Sequence, residues 1–350
     1  MFRRTQTRTL KVGSLELGGG APVRVQSMAN VDPHDADQLI EQVISCSKAG
    51  CDIFRLTIPD IEAAGVLRTV KASSPIPLVA DIHFDYRCAL AAIDAGVDAL
   101  RLNPGNIGGR DKVQAVARAA KAKRVPIRIG VNGGSLERGE SVVSSALKHL
   151  KLLEDEGFYD VVISAKLSDP LKTIETYRQL AEATDCPLHL GVTEAGTLIP
   201  GTVRNSVALG VLLSDGIGDT IRVSLTSKPE KEVKVGLEIL RSLGLREKGP
   251  SIVSCPTCGR TKVDLARIAS QVEDALETIY NDPERRSSDA PFPKVAVMGC
   301  VVNGPGEAKE ADIALCGGDG EFMLYVHGKA IGKVTEQEAV GKVVEYALCL

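Results

Sequence analysis

Residues 77–105 read PLVADIHFDYRCALAAIDAGVDALRLNPG and contain one complete copy of the pattern that decides the fold. Two apolar runs, PLVADIH and DALRLNPG, flank a helical segment that ends at AGVD, where Gly96 suits a left-handed helix cap. A strand, a helix and a second strand in this order predict two parallel strands of one sheet.

The same unit recurs along roughly the first 230 residues. Eight apolar runs with β-branched residues alternate with amphipathic stretches such as ADQLIEQVISCSKAG and SDPLKTIETYRQLAEAT. Eight strand–helix units in about 230 residues are typical of a (β/α)8 barrel. A doubly wound open sheet would explain the alternation but not the number eight. We therefore predict an α/β protein with a TIM-like barrel over residues 1–243.

The repeating pattern stops near Leu243. The segment LGLREKGPSIVSCPTCGR, residues 243–260, reads as a linker, and a helix is expected over 262–280. Strand-like runs follow in KVAVMGC, ADIALCGG and EFMLYVHG, and TEQEAVGKVVEYALCL closes the chain as a helix. Residues 244–350 are therefore predicted to form a small α+β domain.

Composition narrows the function classes. The 350 residues carry a net charge of −3 without blocks of like charge, which argues against nucleic acid as a partner. No apolar run approaches the roughly 18 residues of a membrane span, and the N-terminal stretch lacks the apolar core of a secretory signal. Nine scattered cysteines indicate a reducing compartment, so we expect a cytoplasmic protein.

Polar side chains stand at the carboxyl ends of the predicted strands, where barrels of this type carry their chemistry. Five of the eight strands place a cation there, and such charges repel one another unless an anion lies among them. Arginine can donate two parallel hydrogen bonds to phosphate oxygens, so we predict a small polyanionic ligand. A diphosphate fits the number of cations better than a monophosphate. The strand-end residues are Arg55, Asp81, His83, Arg101, Asn103, Arg128, Asn132, Lys166, Glu194, Arg222 and Ser224. Either of the two carboxylates could act as a general acid or base.

Three clustered thiols lie in the second predicted domain. Cys255 and Cys258 form a C-x2-C pair in SCPTCGR, and Cys300 lies in MGCVVNGPGE, with Glu307 seven residues further on. An iron–sulfur cluster is favoured, because it tolerates one non-thiolate ligand and Glu307 could supply it. A structural zinc site completed by Cys316 and a redox dithiol of the C-x2-C pair remain alternatives.

Taken together, these motifs resemble the 4-hydroxy-3-methylbut-2-en-1-yl diphosphate synthase family. The resemblance rests on SCPTCGR, MGCVVNGPGE, VADIHF, NPGNIG, KLSDP, HLGVTEAG and IGDTIRVSLT, and it extends over nearly the whole chain. VQSMANVDP departs from the usual pattern after the first strand, because the family has a Thr-Asn-Thr run there.

The resemblance implies an enzyme that reductively opens 2-C-methyl-D-erythritol 2,4-cyclodiphosphate on the methylerythritol phosphate route to isoprenoids. It implies that Cys255, Cys258, Cys300 and Glu307 hold a [4Fe–4S] cluster and that Glu194 donates a proton beside Asp81. The diphosphate would be surrounded by Arg55, His83, Arg101, Asn103, Arg128, Asn132, Lys166, Arg222 and Ser224. A zinc-stabilised barrel transferase or lyase acting on a phosphorylated substrate is the alternative.

Partners follow from the same resemblance. Flavodoxin or ferredoxin would supply electrons, since no strand is followed by a GxGxxG nucleotide fingerprint. The linker after the eighth helix is short and leaves the barrel from its side or bottom, so the second domain starts far from the mouth of its own barrel. The cluster domain of one chain is therefore expected to cap the barrel of a second chain in a homodimer.

Overall fold

A short hairpin opens the described part of the computed structural model, and eight parallel strands follow it. The hairpin strands are β1 (Leu10–Val12) and β2 (Leu15–Leu17). The parallel strands are β3 (Arg24–Met28), β4 (Ile53–Thr57), β5 (Leu78–Asp81), β6 (Ala99–Leu102), β7 (Ile127–Asn132), β8 (Val161–Lys166), β9 (His189–Leu190) and β10 (Thr220–Ile221). The structure describes residues 7–132, 139–246, 249–280, 292–300, 302, 306 and 309–350.

The eight parallel strands close into a ring. From β3 to β8 each strand pairs with the next, β9 pairs with β10, and β10 pairs back with β3. A parallel bridge between Ile163 and Leu188 joins β8 to β9 and completes the barrel. Because the carboxyl ends of all eight strands meet at one mouth, side chains that are distant in sequence converge there.

Eight helices cover the outside of the barrel. They are α1 (Ala36–Lys48), α2 (Ile61–Ser73), α3 (Tyr86–Asp94), α4 (Arg110–Lys123), α5 (Val142–Glu154), α6 (Pro170–Ala183), α7 (Leu198–Ser214) and α8 (Pro229–Ser242). Several begin directly after a polar side chain that accepts a backbone N–H of the first turn, as Asp35, Asp60 and Asp169 do. Such caps satisfy donors that a helix start leaves unpaired. Because each helix follows the carboxyl end of a strand, its start lies at the barrel mouth.

The hairpin closes the other end of the barrel. Leu10, Val12 and Leu17 are buried in one apolar cluster with strand residues that include Val79 and Val162. This cluster separates the barrel interior from solvent at the amino-terminal ends of the strands, so the polar mouth is the open end.

We expect Leu17→Ala to lower the free energy of unfolding by about 2–5 kcal/mol, because it removes a buried side chain and leaves a cavity under the barrel. Urea unfolding followed by circular dichroism would measure this. Lys11→Ala, an exposed position of the same hairpin, is the control and should change the value by less than about 0.5 kcal/mol. Equal effects at both positions would contradict a sealing role.

The chain separates into two compact units, Met1–Arg246 and Glu247–Leu350. In its described residues, the second unit has a five-stranded sheet ordered β11 to β15, with two helices packed against one face through an apolar cluster. Its strands are β11 (Ser251–Ser254), β12 (Lys294–Met298), β13 (Ile313–Gly317), β14 (Glu321–Val326) and β15 (Lys329–Thr335), and its helices are α9 (Leu265–Tyr280) and α10 (Glu336–Cys349). Strands β11 to β13 run parallel, whereas β14 and β15 are antiparallel to their neighbours.

The predicted fold class, a TIM-like barrel followed by a small α+β domain, is confirmed. Two strands of the second unit differ from the prediction. Strand β11 lies inside the segment that read as a linker, and β15 was not predicted. Both are edge strands with mostly exposed or half-exposed residues, so neither has the apolar run that marks a buried strand. Among the described helices, none has both the length and the apolar character that crossing a membrane requires.

Candidate active site

A polar pocket of about 230 Å3 occupies the barrel mouth. Nine of the residues predicted from the strand ends line it, although they come from six different strands and the loops after them. They are Arg55, Asp81, His83, Arg101, Asn103, Asn132, Lys166, Arg222 and Ser224. The structure therefore brings four cationic side chains together at one opening, as the repeat pattern suggested.

Asp81 is the central anion of this group. Its side chain is only 2% exposed, and its oxygens lie 3.5 Å from Arg55 Nε, 3.1 Å from Arg101 Nη1 and 3.3 Å from His83 Nε2. Burial alone would raise the pKa of Asp81, but Arg55, His83 and Arg101 outweigh it and hold the pKa below its usual range. Asp81 is thus an ionised carboxylate that orients two arginines.

Among the described residues, carboxylates balance only part of the positive charge at the mouth. Burial, together with the nearby Arg222 and Arg101, lowers the pKa of Arg55 to about 10, although the charge of Asp81 opposes the shift. Burial and the neighbouring arginines also lower the pKa of Lys166 well below its usual value. Within the described residues Lys166 forms no ion pair. An anion entering the pocket would relieve the repulsion among these cations.

Two predicted residues lie away from the pocket lining. Arg128 is buried one layer lower in the barrel, where its Nη1 donates to Gln26 Oε1 and its side chain borders a cavity of about 20 Å3. The described lining of the mouth includes Thr193 but not the adjacent Glu194, which is exposed and has a positive φ of 53°. A left-handed conformation at a non-glycine residue is uncommon.

Some lining residues carried no signal in the sequence. Ser164, Thr193 and Asn106 contribute short polar side chains to the pocket. Glu232 on α8 was also missed, although its carboxylate binds Arg222 at the edge of the pocket. A signal existed, because helical periodicity places Glu232 on the buried face of α8 with Gly236 and Leu240.

We expect Asp81→Asn to lower the free energy of unfolding by about 3–5 kcal/mol at neutral pH, because it leaves two partly buried arginines without their anion. The folded pKa is depressed, so this contribution is complete above the unfolded pKa of about 4 and is lost as pH falls below it. The stability difference between wild type and variant should therefore narrow in acid.

Urea unfolding at neutral and acidic pH would measure both effects. Asp94→Asn, at an exposed position where α3 ends, is the matched control and should have little effect at either pH. A penalty for Asp81→Asn that stayed the same at both pH values would contradict a charge-based role.

Three thiols form a second group of candidate ligands, in the second unit. Cys255 directly follows β11 and Cys300 follows β12, and these two strands are parallel neighbours, with Ser254 opposite Val297. Their carboxyl ends therefore lie side by side, and the Gly299 N–H donates to Cys255 Sγ at 3.3 Å. Cys258 lies in a turn closed by a hydrogen bond from Thr261 N–H to its carbonyl oxygen.

Arg260 connects the other two thiols. Its guanidinium hydrogen bonds to the Cys300 sulfur and lies near Cys258, and both interactions raise the pKa of Arg260. Positive charge and N–H donors around sulfur favour thiolate, the form in which cysteine binds iron. The donor chemistry of Cys255, Cys258 and Cys300 therefore fits an iron–sulfur cluster.

The fourth ligand position is less well defined. Glu307 lies outside the described residues, and among those that are described no group of three or more His, Cys, Asp or Glu is arranged as a finished metal site. Cys316, the fourth thiol of the zinc alternative, is buried with Ala296 and Met298, and burial raises its pKa to about 11.

The fold and the two groups of side chains define a class of protein. It is a TIM-barrel enzyme with a cationic mouth, joined to a domain that presents clustered thiols. Comparison with known families identifies the particular family. A family model described as the GcpE TIM-barrel domain matches residues 7–237, and one described as the GcpE protein C-terminal domain matches residues 251–348.

Similar proteins agree with these family models. A protein of Symbiobacterium thermophilum is 51% identical over 99% of this chain and 93% of its own length, and one of Maridesulfovibrio salexigens is 53% identical over 97% and 94%. Both are named 4-hydroxy-3-methylbut-2-en-1-yl diphosphate synthase (flavodoxin). The chain belongs to this enzyme family, which confirms the resemblance and does not favour the zinc alternative.

Solved structures share the barrel at low sequence identity. The Yersinia pestis dihydropteroate synthase is 13% identical with a TM-score of 0.52, covering 69% of this chain and 98% of its own. The Leptospira borgpetersenii N-acetylneuraminic acid synthetase is also 13% identical, with a TM-score of 0.51, over 68% and 90%. At such identity these similarities concern the fold alone.

Proposed function

We propose that this chain catalyses the reductive ring opening and dehydroxylation of 2-C-methyl-D-erythritol 2,4-cyclodiphosphate to 4-hydroxy-3-methylbut-2-enyl diphosphate in isoprenoid biosynthesis. Family membership over nearly the full length supports the reaction. The observation that carries it is the barrel mouth, where four cationic side chains surround a pocket of about 230 Å3 and the described lining contains one carboxylate, Asp81.

The diphosphate is held by Arg55, Arg101, Lys166 and Arg222. Arginine presents N–H groups in a fork that matches two phosphate oxygens, and the buried Lys166 ammonium adds a point charge. His83, Asn103, Asn132 and Ser224 offer further hydrogen bonds from the same lining. Because these charges are held in place before the substrate arrives, they stabilise the phosphate charge released on ring opening without reorganising.

The carboxylates divide into two roles. Asp81 orients Arg55 and Arg101 and stays ionised, so we assign it to positioning rather than to proton transfer. Glu194 is proposed as the proton donor to the departing hydroxyl, which leaves as water. Its exposed side chain follows Thr193, a lining residue, so a change of side-chain rotamer is the movement that this role requires. Arg128, buried below the pocket with its Nη1 bonded to Gln26, is proposed to contribute positive charge toward the diphosphate.

Cys255, Cys258, Cys300 and Glu307 are proposed to hold a [4Fe–4S] cluster. When bound, the cluster passes the two electrons of the reaction one at a time from flavodoxin or ferredoxin to the substrate. Gly299 N–H and the Arg260 guanidinium stabilise the sulfur ligands from the protein side. A carboxylate is a harder ligand than thiolate and exchanges more readily, which suits Glu307 to the fourth position.

The two parts of the chain have separate tasks in this proposal. Residues 1–243 bind the diphosphate and residues 244–350 hold the cluster. A homodimer in which the cluster domain of one chain caps the barrel of the other would bring the two functions together. The proposed location is the cytoplasm.

Anaerobic purification, iron and sulfide analysis and an activity assay test the proposal. We expect a brown protein with about four iron atoms per chain that converts the cyclodiphosphate when a reduced flavodoxin is supplied. A colourless protein containing one zinc per chain would overturn the redox function while leaving the anion pocket in place.

Glu307→Cys tests the fourth ligand. We expect the variant to retain iron and its visible absorption but to lose most turnover, because a fourth thiolate does not yield its position readily. Iron content and the electron paramagnetic resonance spectrum measure assembly independently of activity. Cys258→Ser is the comparison and should lose iron as well as turnover. Full activity of Glu307→Cys would contradict the assignment.

A further inference from the structure

Glu232 is a buried acid that the proposed reaction does not yet use. It lies in the first turn of α8, is 3% exposed and faces the barrel rather than solvent. One turn later, Gly236 lets the helix approach β3 closely, since a Cβ there would lie 3.1 Å from Val25 Cγ1. The close approach of α8 brings the Glu232 carboxylate to the junction of β3 and β10, the first and last strands of the barrel.

Both oxygens of Glu232 accept hydrogen bonds. Oε1 accepts from Arg222 Nη2 at 3.1 Å and from the Leu225 backbone N–H at 2.9 Å. Oε2 accepts from Ser27 Oγ at 2.9 Å and from Arg222 Nε at 3.3 Å. The carboxylate therefore joins β3, the loop after β10 and the guanidinium of Arg222. A buried acid with this many donors is held in one position.

The pairing decides which part of Arg222 can reach a ligand. Nε and Nη2 are directed to Glu232, while Nη1 donates to Ser224 Oγ at 2.7 Å, and both Arg222 and Ser224 line the mouth. A free arginine side chain loses rotamer entropy when it is fixed. Because Glu232 already holds Arg222, part of this entropy is lost on folding and does not oppose substrate binding.

We propose that Glu232 is a positioning residue for the substrate diphosphate, acting through Arg222 and Ser224 without touching the substrate. The inference rests on the proposed function and extends it to a residue outside the pocket lining. In this arrangement the Glu232 carboxylate on α8 holds the Nε–Nη2 edge of the Arg222 guanidinium. The second N–H groups of Nη1 and Nη2 then stay available for phosphate oxygens.

Glu232→Gln tests this role, because it preserves the shape but replaces the anion and places an N–H2 group opposite donors. We expect KM for the cyclodiphosphate to rise about 10-fold or more, with kcat changed less than KM, since Arg222 contacts the phosphate in both ground and transition states. Glu230→Gln, two residues earlier with its Oε1 bonded to Ser45, is the matched control and should leave KM unchanged.

A double-mutant cycle separates positioning from a general structural effect. If Glu232 acts through Arg222, then Glu232→Gln should add little to the KM of Arg222→Gln. Effects that multiplied independently would overturn the inference. A KM that fell in Glu232→Gln would also overturn it, because Glu232 would then be a competing anion.

Binding of inorganic pyrophosphate, measured by calorimetry, gives a readout that does not depend on turnover. Glu232→Gln and Arg222→Gln should weaken pyrophosphate binding, whereas Glu230→Gln should not. The melting temperature shows whether each variant has folded. Glu232→Asp keeps the charge on a shorter side chain, so it should raise KM less than Glu232→Gln does. It also serves as the test variant if Glu232→Gln folds poorly. An inactive wild type that still bound pyrophosphate would count against the proposed reaction, whereas an active wild type with additive variants would count against Glu232 alone.

Discussion

Repulsion among buried cations is the constraint on which the barrel mouth depends. Closing eight parallel strands brings Arg55, Arg101, Lys166 and Arg222 to one opening, where like charges in a poorly solvated space cost free energy. The lowered pKa values of Arg55 and Lys166 express that cost. A dianionic group placed among them would reduce this cost, and the proposed binding of a diphosphate rests on that effect.

Protein carboxylates reduce this strain without filling the pocket. Asp81 contacts Arg55 and Arg101 from within, and Glu232 contacts Arg222 from the helix layer behind the strands. Each acid neutralises part of the charge and also fixes the direction of its arginine. The hairpin at the opposite end of the barrel excludes water from below, which makes these interactions stronger than they would be at a surface.

The second unit places thiols beside positively charged and N–H groups. Parallel pairing of β11 and β12 places Cys255 and Cys300 at neighbouring strand ends, and Gly299 N–H together with Arg260 supplies the positive partners that thiolates need. Both units therefore use the carboxyl ends of parallel strands to collect reactive side chains. The barrel collects cations, which suit the anionic substrate proposed above, whereas the small sheet collects thiols, which suit the proposed cluster.

The amino-acid sequence by itself determined the barrel, because eight apolar runs at regular spacing admit few other closed arrangements, and it located the lining cations at strand ends. It also identified the family through its thiol motifs. It did not reveal the edge strands β11 and β15, whose exposed residues lack an apolar pattern. Nor did it distinguish Arg128, buried a layer below, from the arginines at the mouth, or show that Glu232 faces Arg222. Strand tilt, barrel closure and helix approach decide such contacts, and these depend on packing between residues far apart in the chain.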